Sequence, residues 1–314
     1  MAGIFTVSIF TSALELGFIY ALVALALFIS FTILNIADLT TDGCFTLGCA
    51  VGAMVTLAGH PFLALLAAMV SGAMAGFVTA FLQTRLGVES ILAGIIVNTG
   101  LYTINIAVMG FSSIANLFGC DTIFSLGKDV VGDGPFLEWY KVVLIALIIA
   151  IVALFLWWFL GTRIGMSIRA TGDNAEMVKS SSINPSFMIT VGLCLANSLT
   201  ALSGVLIAQY QKSCDINIGT GMVTIALASL IIGQTLIGNK GSMLRRILGT
   251  ILGSVLYRFI VAIALRLSVP AEALKLVSAL IVAVAIATPY VKNKIGIKKR
   301  EHENIKAHKA VREV

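Results

Sequence analysis

The sequence has few charged residues. Only 11% of its 314 residues are Asp, Glu, Lys or Arg, whereas 59% are hydrophobic, and the mean hydropathy is +1.02. Soluble globular proteins carry roughly 25% charged residues. The composition therefore excludes a soluble protein and indicates an integral membrane protein.

Catalytic and metal-binding patterns are missing as well. The three histidines are His60, beside a predicted turn, and His302 and His308, near the C-terminal end. The five cysteines are scattered without the spacing of metal ligands, and no GxxxxGK[ST] phosphate-binding loop occurs. We expect no enzyme, no metal site, no cofactor on this chain and no ATP hydrolysis by the chain alone.

Apolar runs close to the 20 residues that a membrane-spanning helix needs recur along the chain. We predict an all-α membrane protein with about nine transmembrane helices, or eight to ten by other counts. The predicted spans are residues 12–34, 44–58, 62–84, 90–110, 141–160, 186–208, 221–238, 247–267 and 272–290. Residues 44–58 are short for a span and are alternatively half of a discontinuous helix.

Basic residues indicate the orientation of the chain. They concentrate at Arg85, in residues 161–185, in the turn 239–246 and after Tyr290, which predicts a cytoplasmic side for all four. The N-terminus is then outside and the C-terminus cytoplasmic. We expect one membrane domain over residues 1–291, with a polar cytoplasmic loop at 161–185, and a basic cytoplasmic tail over 292–314. Because the net charge of +6 comes largely from this tail, it does not suggest a nucleic-acid partner.

The polar loop has the ingredients of a small helix. Asp173 or Asn174 is a suitable N-cap, and the helix formers of residues 175–179 follow. Such a helix between two spans suits docking of a partner, and the alternative is an ordinary solvated loop.

A few polar residues lie in or near predicted spans. Asp38 and Asp42 either cap the next helix, which the pattern favours, or contact a substrate. Glu89 is a further predicted cap, and Glu15 is expected at the outer interface. Arg258 and Arg266 either reach the outer lipid headgroups or bind a substrate carboxylate, and no acid is expected deep in a span.

Amides and hydroxyls inside spans either line a pathway or form hydrogen bonds between helices. The candidates for a pathway lining are Asn98, Thr99, Asn105 and Asn197.

Three blocks of sequence resemble the permease subunits of ABC importers of the branched-chain amino acid and ribose type. In the polar loop GTRIGMSIRATGDNAEMVKSSSINP the matching residues are Thr162, Arg163, Gly165, Arg169, Ala170, Asp173, Asn174, Ala175, Ile183 and Asn184. In ALASLIIGQTLIGNKGSMLRRILGTILG they are Gly233, Gly238, Gly241, Gly249 and Gly253. In IADLTTDGCFTLGCAVGA they are Asp38, Leu39, Gly43 and Gly48. Gln234 departs from the family's usual Gly, and residues 40–42 are more charged than usual.

The resemblance implies an ATP-driven importer in the plasma membrane. Its partners would be a cytoplasmic ABC ATPase that binds ATP and Mg²⁺, an extracytoplasmic solute-binding protein and a second permease copy, most simply in a homodimer. The implied ATPase-coupling residues are Arg163, Gly165, Arg169, Gly172, Asp173, Asn174, Ala175 and Glu176.

The implied substrate is a small polar solute, and an amino acid fits the resemblance best. The alternatives are an ion-coupled secondary transporter of small solutes, which needs an acid inside a span, and a structural or signalling membrane subunit.

Overall fold

The computed structural model describes residues 7–131, 139–238 and 241–266, with five isolated helical positions between 276 and 287. The helices in these residues are α1 (Val7–Leu27), α2 (Thr41–Leu57), α3 (Pro61–Arg85), α4 (Ser90–Val108), α5 (Ile123–Val131), α6 (Tyr140–Gly161), α7 (Arg163–Asp173), α8 (Ala175–Ser180), α9 (Pro185–Gln211), α10 (Met222–Ile237) and α11 (Met243–Arg266). A π-helical segment, Phe28–Ile33, extends α1. Two short strands, β1 (Ile114–Asn116) and β2 (Ser213–Asp215), pair antiparallel.

The helices confirm an all-α membrane protein. Among the described residues, six helices are long and apolar enough to cross a membrane, namely α1 with its π-helical extension, α3, α4, α6, α9 and α11. The helices α2 and α10 are shorter. The ninth predicted span, 272–290, lies outside the described residues apart from the isolated helical positions, and so does the tail 292–314. The total of nine and the orientation stay predictions.

Helix α9 is the centre of the bundle. Every residue from Ala196 to Gln209 is buried, and α1, α2 and α3 pack around it. Its start is well defined, because Pro185 occupies the first turn and Asn184 Oδ1 accepts the N–H of Ser186 at 3.0 Å. Pro in the first turn with an Asn N-cap is a strong helix-start arrangement.

Small residues bring the neighbouring helices close to α9. A Cβ on Gly48 of α2 would collide with the backbone of Ala201, and a Cβ on Gly204 would collide with the carbonyl oxygen of Phe45. Close backbone approach of this kind is typical of helix packing in lipid, where there is little hydrophobic drive between helices.

The helices α10 and α11 pack in the same way. A Cβ on Gly233 would collide with the carbonyl of Gly249, and one on Gly253 with the carbonyl of Ser229. Gln234, beside this contact, donates a hydrogen bond to Thr32 Oγ1 at 2.9 Å. The side chain that stands where Gly is usual therefore leaves the close packing intact and ties α10 to the π-helical segment.

The bundle has two ends, which we call the ribbon end, after β1 and β2, and the α7–α8 end. At the ribbon end, Gln209 is fully buried and its Nε2 donates to Thr56 Oγ1 and to the Pro61 carbonyl, both at 3.0 Å. Its Oε1 accepts the N–H of Ile123 at 3.1 Å. One amide thus joins α2, α3 and α5 to the end of α9.

Two charges predicted at the outer interface, Glu15 and Arg258, pack inside the bundle, whereas the predicted cap Glu89 is at its expected position. Arg258 lies over the ring of Tyr20, 3.8 Å from its centroid, so it stacks inside the bundle instead of reaching outward. Glu15 is buried and accepts a 2.7 Å hydrogen bond from the Tyr210 hydroxyl. Glu89 occupies the N-cap position of α4 without a side-chain cap bond.

The packing around α9 predicts that alanine substitution at two helical glycines changes the unfolding temperature differently. Gly48→Ala should lower the unfolding temperature of the chain in nanodiscs by several degrees, because the new Cβ meets the Ala201 backbone. Gly100→Ala, in α4, is the control. Its Cβ would meet nothing within 4 Å, so the better helix propensity of Ala should leave the unfolding temperature unchanged or raise it. Equal behaviour of the two variants would contradict the close packing of α2 on α9.

Candidate functional site

The two short helices begin inside the bundle. Helix α2 has 17 residues and α10 has 16, so each is about 25 Å long and shorter than a hydrocarbon core of about 30 Å. Helix α2 runs to the ribbon end, where Thr56 meets Gln209. Helix α10 runs the other way, where Gln234 meets Thr32.

Asp38 fixes the start of α2. Its Oδ1 accepts the N–H of Thr40 at 2.9 Å, and its Oδ2 accepts a 2.8 Å hydrogen bond from Asn197 Nδ2. Asn197 lies midway along α9, and Asp38 is only 2% exposed. Asp38 lies in the connection between α1 and α2 and not in a span, yet it is buried because this connection turns back toward the middle of α9.

Asp42 caps a different helix from the one expected. It lies in the first turn of α2, but its Oδ2 accepts the N–H of Gly221 and its Oδ1 that of Val223, both at 2.9 Å. These are N–H groups at the start of α10, where a carboxylate also meets the positive end of the helix dipole. The prediction that Asp42 caps the next helix in the chain was therefore wrong, because its carboxylate caps α10.

Residues 216–221 connect β2 to α10 and place the start of α10 beside Asp42. They follow β2 and re-enter the bundle, so that a Cβ on Gly219 would collide with the Asp42 carbonyl. Gly221 has φ +86°, a left-handed conformation that favours glycine. The sequence predicts a full span over residues 221–238. The observed helix, Met222–Ile237, has nearly these bounds but is short for a span, and it begins beside Asp42.

A polar cavity of about 200 Å³ opens where these elements meet α4. Helix α2 contributes Asp42, Gly43 and Thr46 to its lining, α4 contributes Asn98, Thr99, Tyr102 and Asn105, and the re-entrant segment contributes Ile216, Asn217, Gly219 and Thr220. Asn105 is only 1% exposed, and its Nδ2 donates to the Gly43 carbonyl at 3.1 Å. Its Oδ1 has no hydrogen-bond partner.

The structure brings together three of the four predicted pathway residues. Asn98, Thr99 and Asn105 line the cavity, whereas Asn197 is buried and holds Asp38. Sequence reasoning missed Tyr102, Thr46 and the re-entrant segment. The Gly-Thr-Gly run of residues 219–221 was a usable indication, because Gly-interrupted apolar segments mark discontinuous helices in transporters.

No metal site accompanies the cavity in the described part of the chain, where no group of three or more His, Cys, Asp or Glu side chains is close enough to hold an ion.

The polar loop forms two helices at the other end. Thr162 Oγ1 accepts the N–H of Gly165 and caps α7, and Asn174 Oδ1 accepts the N–H of Met177 at 3.0 Å and caps α8. Of the two predicted caps, Asn174 is the one used. Asp173 is instead the last residue of α7, and α8 runs from Ala175 to Ser180, which agrees with the predicted helix formers of residues 175–179.

The predicted coupling residues divide into two groups. Six of them are exposed on the surface of α7 and α8, namely Arg163, Arg169, Asp173, Asn174, Ala175 and Glu176. The glycines pack inward. A Cβ on Gly165 would collide with the Phe159 carbonyl, and one on Gly172 with the Ile33 carbonyl.

The α7–α8 surface is firmly attached to the bundle. Ile168 of α7 is fully buried in the main core, and Val178 of α8 is 3% exposed. The contact of Gly172 with Ile33 is made at the last residue of the π-helical segment. From Ile33 the chain reaches Asp38 in five residues, so little flexible chain separates this surface from the start of α2.

Residues 9–287 match the family model described as branched-chain amino acid transport system / permease component. The chain belongs to this permease family. It is a multi-pass protein of the plasma membrane and a permease component of an ABC-type transport system, as the resemblance of the three sequence blocks had suggested.

Known relatives of this permease cover most of its length. The tyrosine transport system permease protein of Clostridioides difficile (strain R20291) is 34% identical over 289 residues, which is 92% of this chain and 92% of that protein. The ribose import permease of Escherichia coli (strain K12) is 30% identical over 233 residues, 71% of this chain and 67% of that protein. PsaBC from Streptococcus pneumoniae, solved in complex with a Fab, has a similar fold. Its TM-score is 0.50 at 14% identity, with 90% of this chain and 91% of that chain covered.

The Asp42 cap predicts a local effect on α10. Asp42→Ala should speed amide hydrogen exchange at Gly221 and Val223 and lower stability by about 1–2 kcal/mol, the usual loss for an N-cap. Hydrogen exchange with mass spectrometry and thermal unfolding would measure both. Asp121→Ala, at an exposed position, is the matched control. Unchanged exchange at Gly221 in the Asp42 variant would show that α10 does not depend on this carboxylate.

Proposed function

We propose that this permease imports an amino acid and that the cavity between α2, α4 and residues 216–220 is part of its pathway. The observation that carries the proposal is that two oppositely running short helices, α2 and α10, start next to each other at this polar cavity. Transporter pathways are commonly built where discontinuous helices expose polar groups inside the bundle. The similarity to a tyrosine transport permease over 92% of both chains supports an amino acid as the substrate.

We propose ATP as the energy source, supplied by a cytoplasmic ATPase that binds ATP and Mg²⁺ and docks on α7 and α8. The surface of α8 suits docking because Ala175, Glu176 and Met177 are exposed while Val178 anchors the helix. Lys179 and Glu176, with residues 182–186, border an open hollow beside it. This assignment places the α7–α8 end in the cytoplasm, in agreement with the charge of the loop.

The proposed docking surface is mechanically joined to the cavity. A push on α7 reaches the Ile33 carbonyl through Gly172, and the chain from Ile33 leads to Asp38 and then to Asp42. Densely packed elements transmit such displacements because they have little room to deform. Arg246 of α11 adds a contact at this end of the bundle, since its guanidinium lies 5.2 Å from the ring centroid of Phe28 in the π-helical segment.

The remaining partners follow from the position of the cavity. Thr99 and Tyr102 of α4 are exposed beside its open side, so a second permease copy packed on α4 would enclose the pathway. A solute-binding protein would deliver the substrate at the ribbon end.

An ion-coupled secondary transporter is the second candidate, because Asp38 is a buried acid at mid-depth. Asp38 already accepts hydrogen bonds from Thr40 and Asn197, which gives it a structural role.

Uptake by proteoliposomes tests the two candidates directly. The permease, reconstituted with its ATPase and binding protein, should accumulate L-tyrosine only when ATP is present on the cytoplasmic side. Reconstitution of the permease alone under a proton or sodium gradient is the comparison. Accumulation driven by the gradient without ATP would overturn the proposal in favour of the secondary transporter.

The docking surface gives a second prediction. The double variant Glu176→Lys with Met177→Asp should reduce co-purification of the ATPase at least tenfold, because it changes the charge and polarity of exposed α8 side chains. Its unfolding temperature should stay within about 2 °C of the unmodified chain, as expected for surface substitutions. Asp121→Lys, near the ribbon end, is the control and should retain the ATPase. Retention by the α8 variant would remove α8 from the interface.

A further inference from the structure

Each backbone N–H from Ile216 to Val223 has an acceptor within the protein. Asp42 accepts those of Gly221 and Val223, and Thr46 Oγ1 accepts that of Gly219. The other five bond to Ser113 O, Asp215 Oδ1, Asp215 O, Asn217 O and Gly219 O. A helix start inside a transporter is ordinarily suited to an anion, but here the carboxylate of Asp42 already takes that place.

The cavity lining instead offers acceptors. Asp42 is negatively charged. Each of its two carboxylate oxygens accepts one backbone N–H and has lone pairs left for another donor. Among the described lining residues there is no Lys, Arg or His. Thr99 Oγ1 donates its proton to the Ile95 carbonyl at 2.8 Å, which leaves its lone pairs for a ligand.

Asn105 adds an unmet acceptor. Because the Gly43 carbonyl can only accept, the amide must present its NH₂ group to it, and this assigns the unpartnered atom as the carbonyl oxygen Oδ1. A buried acceptor without a partner is destabilising, so a donor that enters the cavity and bonds to Oδ1 relieves that loss.

We propose that the cavity binds the primary ammonium group of the substrate, through the Asp42 carboxylate, Asn105 Oδ1 and Thr99 Oγ1. This rests on the proposed function in that the cavity is taken to lie on the import pathway, and it names the part of the amino acid that is recognised there. The ammonium group donates three hydrogen bonds, which matches three acceptors of which one is charged. The substrate carboxylate makes no required contact with the start of α10.

Binding of three labelled probes tests the proposal on the full permease with its ATPase in nanodiscs. L-Tyrosine has both charged groups, tyramine lacks the carboxylate and 3-(4-hydroxyphenyl)propanoate lacks the amine. Tyramine should bind within about threefold of L-tyrosine, and the propanoate at least about tenfold more weakly, or roughly 1.4 kcal/mol. The proposal is overturned if the propanoate binds as well as tyramine, or if neither amine binds.

Substitutions in the cavity lining test whether the preference for amines arises in this cavity. Asp42→Asn should abolish most of the tenfold preference for amines, but it also alters the α10 cap. Thr99→Val therefore provides a second variant, at an exposed position. It should weaken amine binding at least about 10-fold, the lower end of the range for a hydrogen bond to a charged group, without changing propanoate binding. Thr103→Val, one turn further along the exposed face of α4, is the matched control and should bind all three probes unchanged. Equal effects at positions 99 and 103 would place the amine elsewhere.

Uptake measurements distinguish a failure of the ammonium site from a failure of the proposed import function. ATP-dependent L-tyrosine uptake without amine preference in the binding series would overturn the ammonium site alone. An amine preference without ATP-dependent uptake would count against the proposed import function and leave the site in place.

Discussion

The hydrogen bonds from the Gly221 and Val223 amides to the Asp42 carboxylate allow a helix to begin inside the bundle. A backbone N–H group that lies inside the bundle without an acceptor is destabilising. The carboxylate removes that cost at the first turn of α10, and its own charge is stabilised by the helix dipole. Its loss would weaken the first turn of α10 by about 1–2 kcal/mol, and with it one wall of the cavity beside α4.

Asp38 and Asp42 have different roles in the structure. Asp38 is enclosed by Thr40 and Asn197 and sets the start of α2. Asp42, four residues later in the first turn of α2, faces both α10 and the cavity. The Asp42 carboxylate thus caps α10 and also places a negative charge at the proposed pathway. Any rearrangement that moves α2 relative to α10 would change the electrostatic potential inside the cavity.

The same stretch of chain joins the cavity to the surface proposed for ATPase docking. Gly172 of α7 allows close contact with the Ile33 carbonyl, and only a short connection separates Ile33 from Asp38. The π-helical segment Phe28–Ile33 lies at this junction. Segments of this type are frequent at functional sites because their hydrogen-bond pattern differs from that of the surrounding helix. Displacement of α7 would therefore act first on the chain that positions both acids.

The sequence by itself determined the membrane class, most helix positions, the permease family and a polar loop with a short helix, because apolar run length, caps and Gly spacing are local properties. It also indicated Asn98, Thr99 and Asn105, since polar residues in apolar runs stand out. Only the tertiary structure decided that Asp42 caps α10, that Asn197 holds Asp38, that Arg258 stacks on Tyr20 and that Gly172 packs inward. These contacts join residues far apart in the chain, about 180 positions in the case of Asp42 and Val223. Their formation depends on how deep each helix lies in the bundle, which local patterns do not encode.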